Sequence, residues 1–352
     1  MFENPENPMK TWNFGIIGSG LIADFHAKAI QSLPNAHLAG ICGRNRDKTM
    51  ALARKYSCRT FVSAEELLNA AEIEIVTIAT PSGAHMDPAI AAARHGKHVL
   101  CEKPLEITPE RIDTMIVAHE KAGTRLGGIF NFRYNDAVKV IKNAVDSGRF
   151  GTLTFAAVYV PWWRTAEYYK SSWRGTRKLD GGGALMNQSI HMVDMLQYLA
   201  GPVKSLQSYT ATLAHDIEVE DTAVAALVFR NNALGMIYGS TSSFPGQFRR
   251  LEITGNRGTA VMVENSITVW MFADQTCEDT EILKKYGAIE GGGGTSDPAA
   301  IPFEPHARNI ASFIEAVENN KPFEIDGPEA RKSVEIISAI YRAAESQKTI
   351  LL

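Results

Sequence analysis

The apolar run NFGII (residues 13–17) leads without a spacer into Gly18-Ser19-Gly20-Leu21-Ile22-Ala23, and the amphipathic stretch LIADFHAKAIQSL starts inside that motif. A G-x-G-x-x-A pattern between a strand and a helix restricts the backbone sharply. Gly18 permits a tight turn, Gly20 lets a ligand approach the main chain, and Ala23 keeps the helix close to the strand. The helix start then directs free N–H groups and the positive end of its dipole at one point, which suits the phosphates of a dinucleotide. Gly18, Ser19, Gly20, Leu21 and Ile22 are the first candidate cofactor contacts.

The motif opens a regular alternation. Apolar runs HLAGIC (37–42), EIVTIAT (74–80), HVLC (98–101) and RLGGIF (125–130) are separated by helical candidates such as RDKTMALARKY, SAEELLNA and HMDPAIAAARHG. That order builds an α/β unit, a doubly wound parallel sheet with crossover helices. A Rossmann domain is expected over residues 11–130, behind a disordered tail of residues 1–10.

Beyond residue 150 β segments follow one another: TLTFAAVYV, SLQSYTATLA, TAVAALVF, ALGMIYGSTSS, FRRLEITG, TAVMV and ITVWMF. Tight punctuators (Arg230-Asn231-Asn232, Gly255 to Gly258, Glu264-Asn265) favour antiparallel hairpins. Residues 131–352 are expected to form a second, α+β domain. It is entered through YNDAVKVIKNAVDSGRFG, an amphipathic helix with Val138, Ile141 and Val145 on one stripe and Gly148 as its stop. It closes with helices around HARNIASFIEAVENN and PEARKSVEIISAIYRAAESQ. Gly291 to Gly294, followed by Pro298, Pro302 and Pro305, reads as a flexible loop.

A length of 352 residues accommodates about two such domains. The net charge of −3 leaves no positive excess for nucleic acid or an anionic membrane. No apolar run approaches the roughly 18 residues that span a bilayer. Cys42, Cys58, Cys101 and Cys277 are scattered, which fits small buried hydrophobes in a reducing compartment. A soluble cytoplasmic protein is expected. His85, His95, His98, His119 and His191 form no ligand pattern with acids or cysteines, so no metal is expected.

An acid at the end of the second strand would bind ribose hydroxyls and repel a 2′-phosphate. This chain has Cys42-Gly43-Arg44-Asn45-Arg46 there instead. Arg44 therefore favours NADP, with stacking of Arg44 on the adenine of NAD as the alternative.

Two constellations carry chemistry. After HVLC comes Cys101-Glu102-Lys103-Pro104, at the carboxyl edge of the sheet where open α/β folds place ligands. A lysine there serves as acid or base once burial lowers its pKa, and a cis bond before Pro104 would aim it inward. The second constellation runs from Asp180 through three glycines to Asp194. A helix from Ala184 puts Asn187, His191 and Asp194 on one face, with Leu185, Met192 and Leu196 packed elsewhere.

In this order and spacing, GIIGSGLIA, Glu102-Lys103-Pro104, Gly148-Arg149-Phe150-Gly151, the Gly-Gly-Gly-to-His191 helix and the two closing helices resemble the Gfo/Idh/MocA family of nicotinamide-dependent oxidoreductases, over nearly the whole chain. The resemblance implies a C-terminal domain with a large, mostly antiparallel open sheet, often used to form homodimers or homotetramers. It implies reversible oxidation of a ring hydroxyl on a sugar, sugar derivative or cyclitol. Lys103 would exchange the hydroxyl proton and His191 would assist or hold that hydroxyl. Where the commoner family pattern has Asp, this chain has Asn187, as in a branch with Asn-Gln-x-x-His, and an amide orients substrate but does not relay protons.

The Pro161 to Gly175 stretch supplies three Trp, two Tyr and two Arg, groups that hold sugar faces and hydroxyls. Arg164, Tyr168, Trp173 and Arg174 are expected near substrate or a neighbouring subunit, with Arg133 and Asn135 as weaker candidates. Thr80, Pro81 and His85 are placed near the nicotinamide with Glu102 and Lys103, a structural role for His85 being equally open. Two other classes stay possible: a cofactor-binding regulator without chemistry, and an NAD-dependent glycoside hydrolase working by transient oxidation.

Overall fold

The structure, a computed structural model, describes residues 10–170, 173–288 and 303–352. The residues read as a tail up to position 9, the Gly291 to Gly294 run, Pro298 and Pro302 lie outside the described residues.

The first half alternates β1 (Trp12–Ile17), α1 (Leu21–Gln31), β2 (Ala36–Cys42), α2 (Arg46–Lys55), β3 (Arg59–Phe61), α3 (Ala64–Asn69), β4 (Ile75–Ile78), α4 (Met86–Arg94), β5 (His98–Cys101), α5 (Pro109–Ala122) and β6 (Leu126–Gly128). The six strands pair in parallel in the order β3-β2-β1-β4-β5-β6, the doubly wound arrangement. Strand order reverses between β1 and β4, so their carboxyl ends open a crevice where α1 begins. Phe14, Ile16, Val76, Ile78, Val99 and Leu100 are fully buried, as continuous apolar runs require when helices cover both faces.

The second half contains α6 (Asp136–Asp146), β7 (Leu153–Pro161), α7 (Ala166–Tyr169), α8 (Ile190–Ala200), β8 (Val203–Ala211), β9 (Thr222–Phe229), β10 (Leu234–Ser240), β11 (Arg250–Gly255), β12 (Gly258–Val263), β13 (Ser266–Phe272), α9 (Cys277–Tyr286), α10 (Glu304–Glu318), α11 (Gly327–Ser346) and β14 (Ile350–Leu351). Its eight strands run β13-β12-β11-β7-β10-β9-β8-β14. The three short turns make the antiparallel hairpins β9–β10, β11–β12 and β12–β13, while β7 and β10 pair in parallel at the middle of the sheet. Helices α8 and α11 cover one face of this sheet.

The closing helices also return to the first half. Helix α10 packs on α1, and α11 packs on α5 and β6. The Gly128 N–H donates to the Ile325 carbonyl at 2.8 Å, and the Phe130 N–H donates to the Asn309 side chain at 3.1 Å. These contacts set the lysine turn of one half against α8 of the other. Among the described residues no helix is long and apolar enough to cross a membrane, and all four cysteines are free.

Candidate active site

Gly18 has φ +135°, and a Cβ there would fall 2.4 Å from the Ala79 carbonyl oxygen, so only glycine fits the turn. Gly20 caps α1 without a side-chain hydrogen bond, and a Cβ at Gly20 would meet no protein atom within 4 Å. The turn therefore leaves an open cradle in front of uncapped N–H groups, with Leu21 and Ile22 exposed beside it. That donor set fits the pyrophosphate of a dinucleotide. At the end of β2, Arg44 is exposed, and Asn45 accepts from the Lys48 N–H to cap α2.

The lysine turn lies across the crevice. The Lys103–Pro104 peptide is cis, and Lys103 Nζ donates to the Asn187 main-chain oxygen at 2.7 Å. Burial lowers the Lys103 pKa, and Arg164 and Arg174 act in the same sense against the opposing charges of Glu102 and Asp180. Glu102 is engaged behind the turn. It meets His26 at 2.9 Å and His306 at 3.7 Å; burial alone would push it up, but the two imidazoles hold it well below the usual carboxylate range. His85 is buried, with Nδ1 2.9 Å from the Pro104 oxygen and Nε2 2.9 Å from the Thr80 oxygen. Both residues thus brace the turn from within the protein, and Thr80 is tied to the Ala84 oxygen at 3.0 Å.

Opposite stands the glycine-led helix. Its first turn, Ala184–Ser189, is a π-helix, and α8 proper begins at Ile190. A Cβ at Gly183 would sit 1.8 Å from the Glu220 oxygen, and the Glu220 carboxylate accepts from the Gly183 and Leu185 N–H groups at 2.9 and 2.8 Å. The wider π turn carries Asn187 and His191 to the lysine, but the expected three-residue face does not form. Asp194 is buried on the far side, where both of its oxygens accept from Arg133 at 2.6 and 2.7 Å.

Arg133 is accordingly corrected from substrate contact to core ion pair: its guanidinium also reaches Glu329 at 2.9 Å and is 1% exposed. Asn135 caps α6 through the Ala137 N–H.

His191 stacks on Phe132 with ring centroids 4.4 Å apart and meets Phe130 edge-on. Arg249 lies 4.0 Å over the other participant of that stack, Phe132. Burial, then the charge of Lys103, holds His191 well below its ordinary pKa, with Arg249 and His306 adding to Lys103 against Glu102. The ring is therefore neutral, and its buried Nδ1 has no partner among the described residues. An orphaned polar atom at the lysine cleft is what a ligand hydroxyl would satisfy.

The aromatic segment closes the same wall. Arg164 donates to Gln188 at 2.8 Å, Gln188 donates to Tyr168 at 2.7 Å and to the Asn187 side-chain oxygen at 2.9 Å, and Arg174 lies 4.3 Å over Tyr168. Trp173 is partly buried and offers a ring to Arg174. Asn187 also donates to Asp180. Sequence reasoning did not assign Gln188, Asp180, Phe132 or Arg249; Asp180 and Gln188 lay inside the quoted motif, whereas nothing local marks Arg249.

A strand-order 3-2-1-4-5-6 sheet with an open glycine turn, facing a lysine and a neutral histidine, defines a dinucleotide-dependent oxidoreductase of Rossmann type. Residues 12–129 match the model of the oxidoreductase family with NAD-binding Rossmann fold, and residues 138–261 match the GFO/IDH/MocA C-terminal domain. The chain belongs to the Gfo/Idh/MocA family of oxidoreductases. The WlbA dehydrogenase of Bordetella pertussis, solved with NADH and UDP-GlcNAcA, is 34% identical at a TM-score of 0.88, covering 97% of this chain and 98% of that one. The myo-inositol 2-dehydrogenase of Thermotoga maritima is 25% identical, covering 96% of this chain and 98% of its own. The inositol 2-dehydrogenase of Rhizobium meliloti is 28% identical, with 97% and 99% covered.

Proposed function

We propose that this oxidoreductase interconverts a ring hydroxyl and the corresponding ketone on a sugar, sugar derivative or cyclitol. The observation that carries the reading is the proximity of Lys103, shifted toward the neutral amine, and His191, neutral with a buried Nδ1 that has no partner among the described residues. The inositol dehydrogenases and the sugar-nucleotide enzyme similar to this chain support the substrate class.

When bound, a nicotinamide dinucleotide supplies the hydride acceptor or donor. Lys103 takes the hydroxyl proton during oxidation and returns it during reduction. His191 holds the same oxygen. The Asn187 amide is turned by Asp180 and Gln188 and presents one fixed orientation to substrate, alongside Tyr168, Arg164, Trp173 and Arg174. Gly18, Ser19, Gly20, Leu21 and Ile22 would hold the pyrophosphate, with Thr80 and Pro81 bordering the nicotinamide end. A nicotinamide absorbance assay across sugars and cyclitols tests the assignment; release of an aglycone without net reduction of cofactor would redirect it to the hydrolase reading.

The cofactor preference follows Arg44. The exposed guanidinium and the lack of an acid at the β2 end favour NADP, against the NADH found with the WlbA relatives. Arg44→Ala is expected to weaken NADP binding about tenfold, the value of one lost charge-assisted contact near 1.4 kcal/mol, and to leave NAD nearly unchanged. Equal loss of both, by fluorescence titration, would leave Arg44 as an adenine contact only.

The open face of the eight-stranded sheet is proposed to receive a second copy of the chain. Tyr209, Val224, Tyr238 and Tyr159 lie in register across four strands on that face, with Tyr209 72% exposed. Val224→Glu is expected to shift the mass in solution toward the monomer, measured by light scattering. An unchanged mass would place the contact elsewhere. The free cysteines accord with a cytoplasmic setting.

A further inference from the structure

We propose that Asp180 is a positioning residue that fixes the Asn187 amide and tunes proton exchange at Lys103; this rests on the dehydrogenase reading above. Asp180 ends the loop that precedes the glycine triplet and is 1% exposed. One carboxylate oxygen accepts from the Gly175 N–H at 2.8 Å and the other from the Asn187 amide. Asn187 in turn receives Lys103 on its main-chain oxygen. A single residue thus connects the lysine through its backbone and the aspartate through its side chain, and Asp180 links the Trp173 to Gly175 loop to the catalytic helix.

Asn187 itself carries no charge. Asp180 supplies a carboxylate to that side of the cleft from a different element. Burial raises Asp180 to about 6, opposed by the Gly175 N–H, Asn187, Lys103 and Arg174. The charged and titratable groups facing Lys103 are Glu102, Asp180, Arg164, Arg174 and His191; those facing Asp180 are Lys103, Arg174, Tyr168, Tyr169 and Tyr341. Removing the Asp180 charge leaves Glu102 as the anion supporting the Lys103 ammonium, so the lysine becomes a weaker base.

Asp180→Asn keeps the shape and removes the charge. In the oxidation direction, the ascending limb of the kcat/KM profile is expected to move about one unit to lower pH, the low end of the effect of a neighbouring charge. kcat falls while the dissociation constant of the dinucleotide stays at the wild-type value, and Asp180→Glu restores the limb. A second readout needs no turnover. With its pKa raised from 3.8 to about 6, Asp180 binds a proton in the folded state first, so wild-type stability declines as pH rises across that window. Asp180→Asn lacks the decline, and Lys103→Met extends it to higher pH.

A superimposable pH profile in Asp180→Asn, or an unfolding slope that neither variant alters, overturns the proposal. If Asp180→Asn does not fold, the Lys103→Met unfolding titration decides alone. Wild-type protein inactive on every carbohydrate tried would count against the dehydrogenase reading, while the unfolding titration still reports on the Asp180–Lys103 pair.

Discussion

Lys103→Met is expected to lower kcat by about 10²- to 10⁴-fold, the range for loss of a positioned acid–base group, while the dinucleotide still binds. The two readouts are expected to separate because the cradle proposed for the phosphates is the turn at the start of α1, whereas Lys103 follows β5. Methionine fills the space of the stem without a donor for the Asn187 oxygen. The wild-type oxidation rate is expected to rise with pH as Lys103 loses its proton, at a pKa that burial and the two arginines keep below the ordinary lysine value. Methionine removes that limb altogether. Normal turnover in the variant, measured by nicotinamide absorbance, would sink the assignment of Lys103.

Asp194→Ala is expected to destabilise the protein by about 3–5 kcal/mol, the cost of stranding one member of a buried ion pair. Arg133 would keep Glu329, whose side chain is 20% exposed and whose carboxylate also serves Lys332 and Gln197. A urea denaturation midpoint lowered at constant slope is the measurement. Where the variant remains folded, the KM for substrate should match wild type, because this pair lies behind α8 and away from Lys103. A KM effect specific to Arg133 variants would return Arg133 to the substrate contacts.

The contrast between Lys103 and Arg133 shows what kind of residue a sequence discloses. Lys103 follows a strand of the parallel sheet, and the topology of such sheets places strand ends at the ligand crevice. Its location needed only local pattern and chain order. Arg133 follows β6 in the same way, yet its guanidinium turns inward, because Asp194 and Glu329 wait there on α8 and α11. Those acids are 61 and 196 residues distant in the chain. No local signal says which of two nearby polar groups an arginine will meet.

The helix of Asn187 and His191 departs from its expected pattern for a similar reason. Counting by 3.6 residues puts Asn187, His191 and Asp194 together, but Asp194 is taken by Arg133, and Asn187 is set beside the lysine by a π turn at Ala184–Ser189 where Glu220 grips the Gly183 and Leu185 amides. Glu220 reaches the site from just before β9 and is 35 residues from Leu185 in the chain. Strand β3 escaped notice because three residues, Arg59 to Phe61, are too few to show a period. The parallel β7–β10 pair joins segments far apart in the chain, whereas the hairpins around it were legible from their turns.

By itself the sequence determined the glycine turn, the alternation that makes a parallel sheet and the hairpin order of the second sheet, and it singled out one lysine and one histidine as candidates for the chemistry. Each depends on residues close in the chain, whose spacing sets backbone geometry directly. The tertiary structure alone decided which charges meet: Arg133 with Asp194, Glu102 with His26 and His306, Asn187 with Asp180, and Arg249 behind the Phe132–His191 stack. Burial makes those pairings the controlling terms, since a charge removed from water is governed by whatever neighbour the fold brings to it.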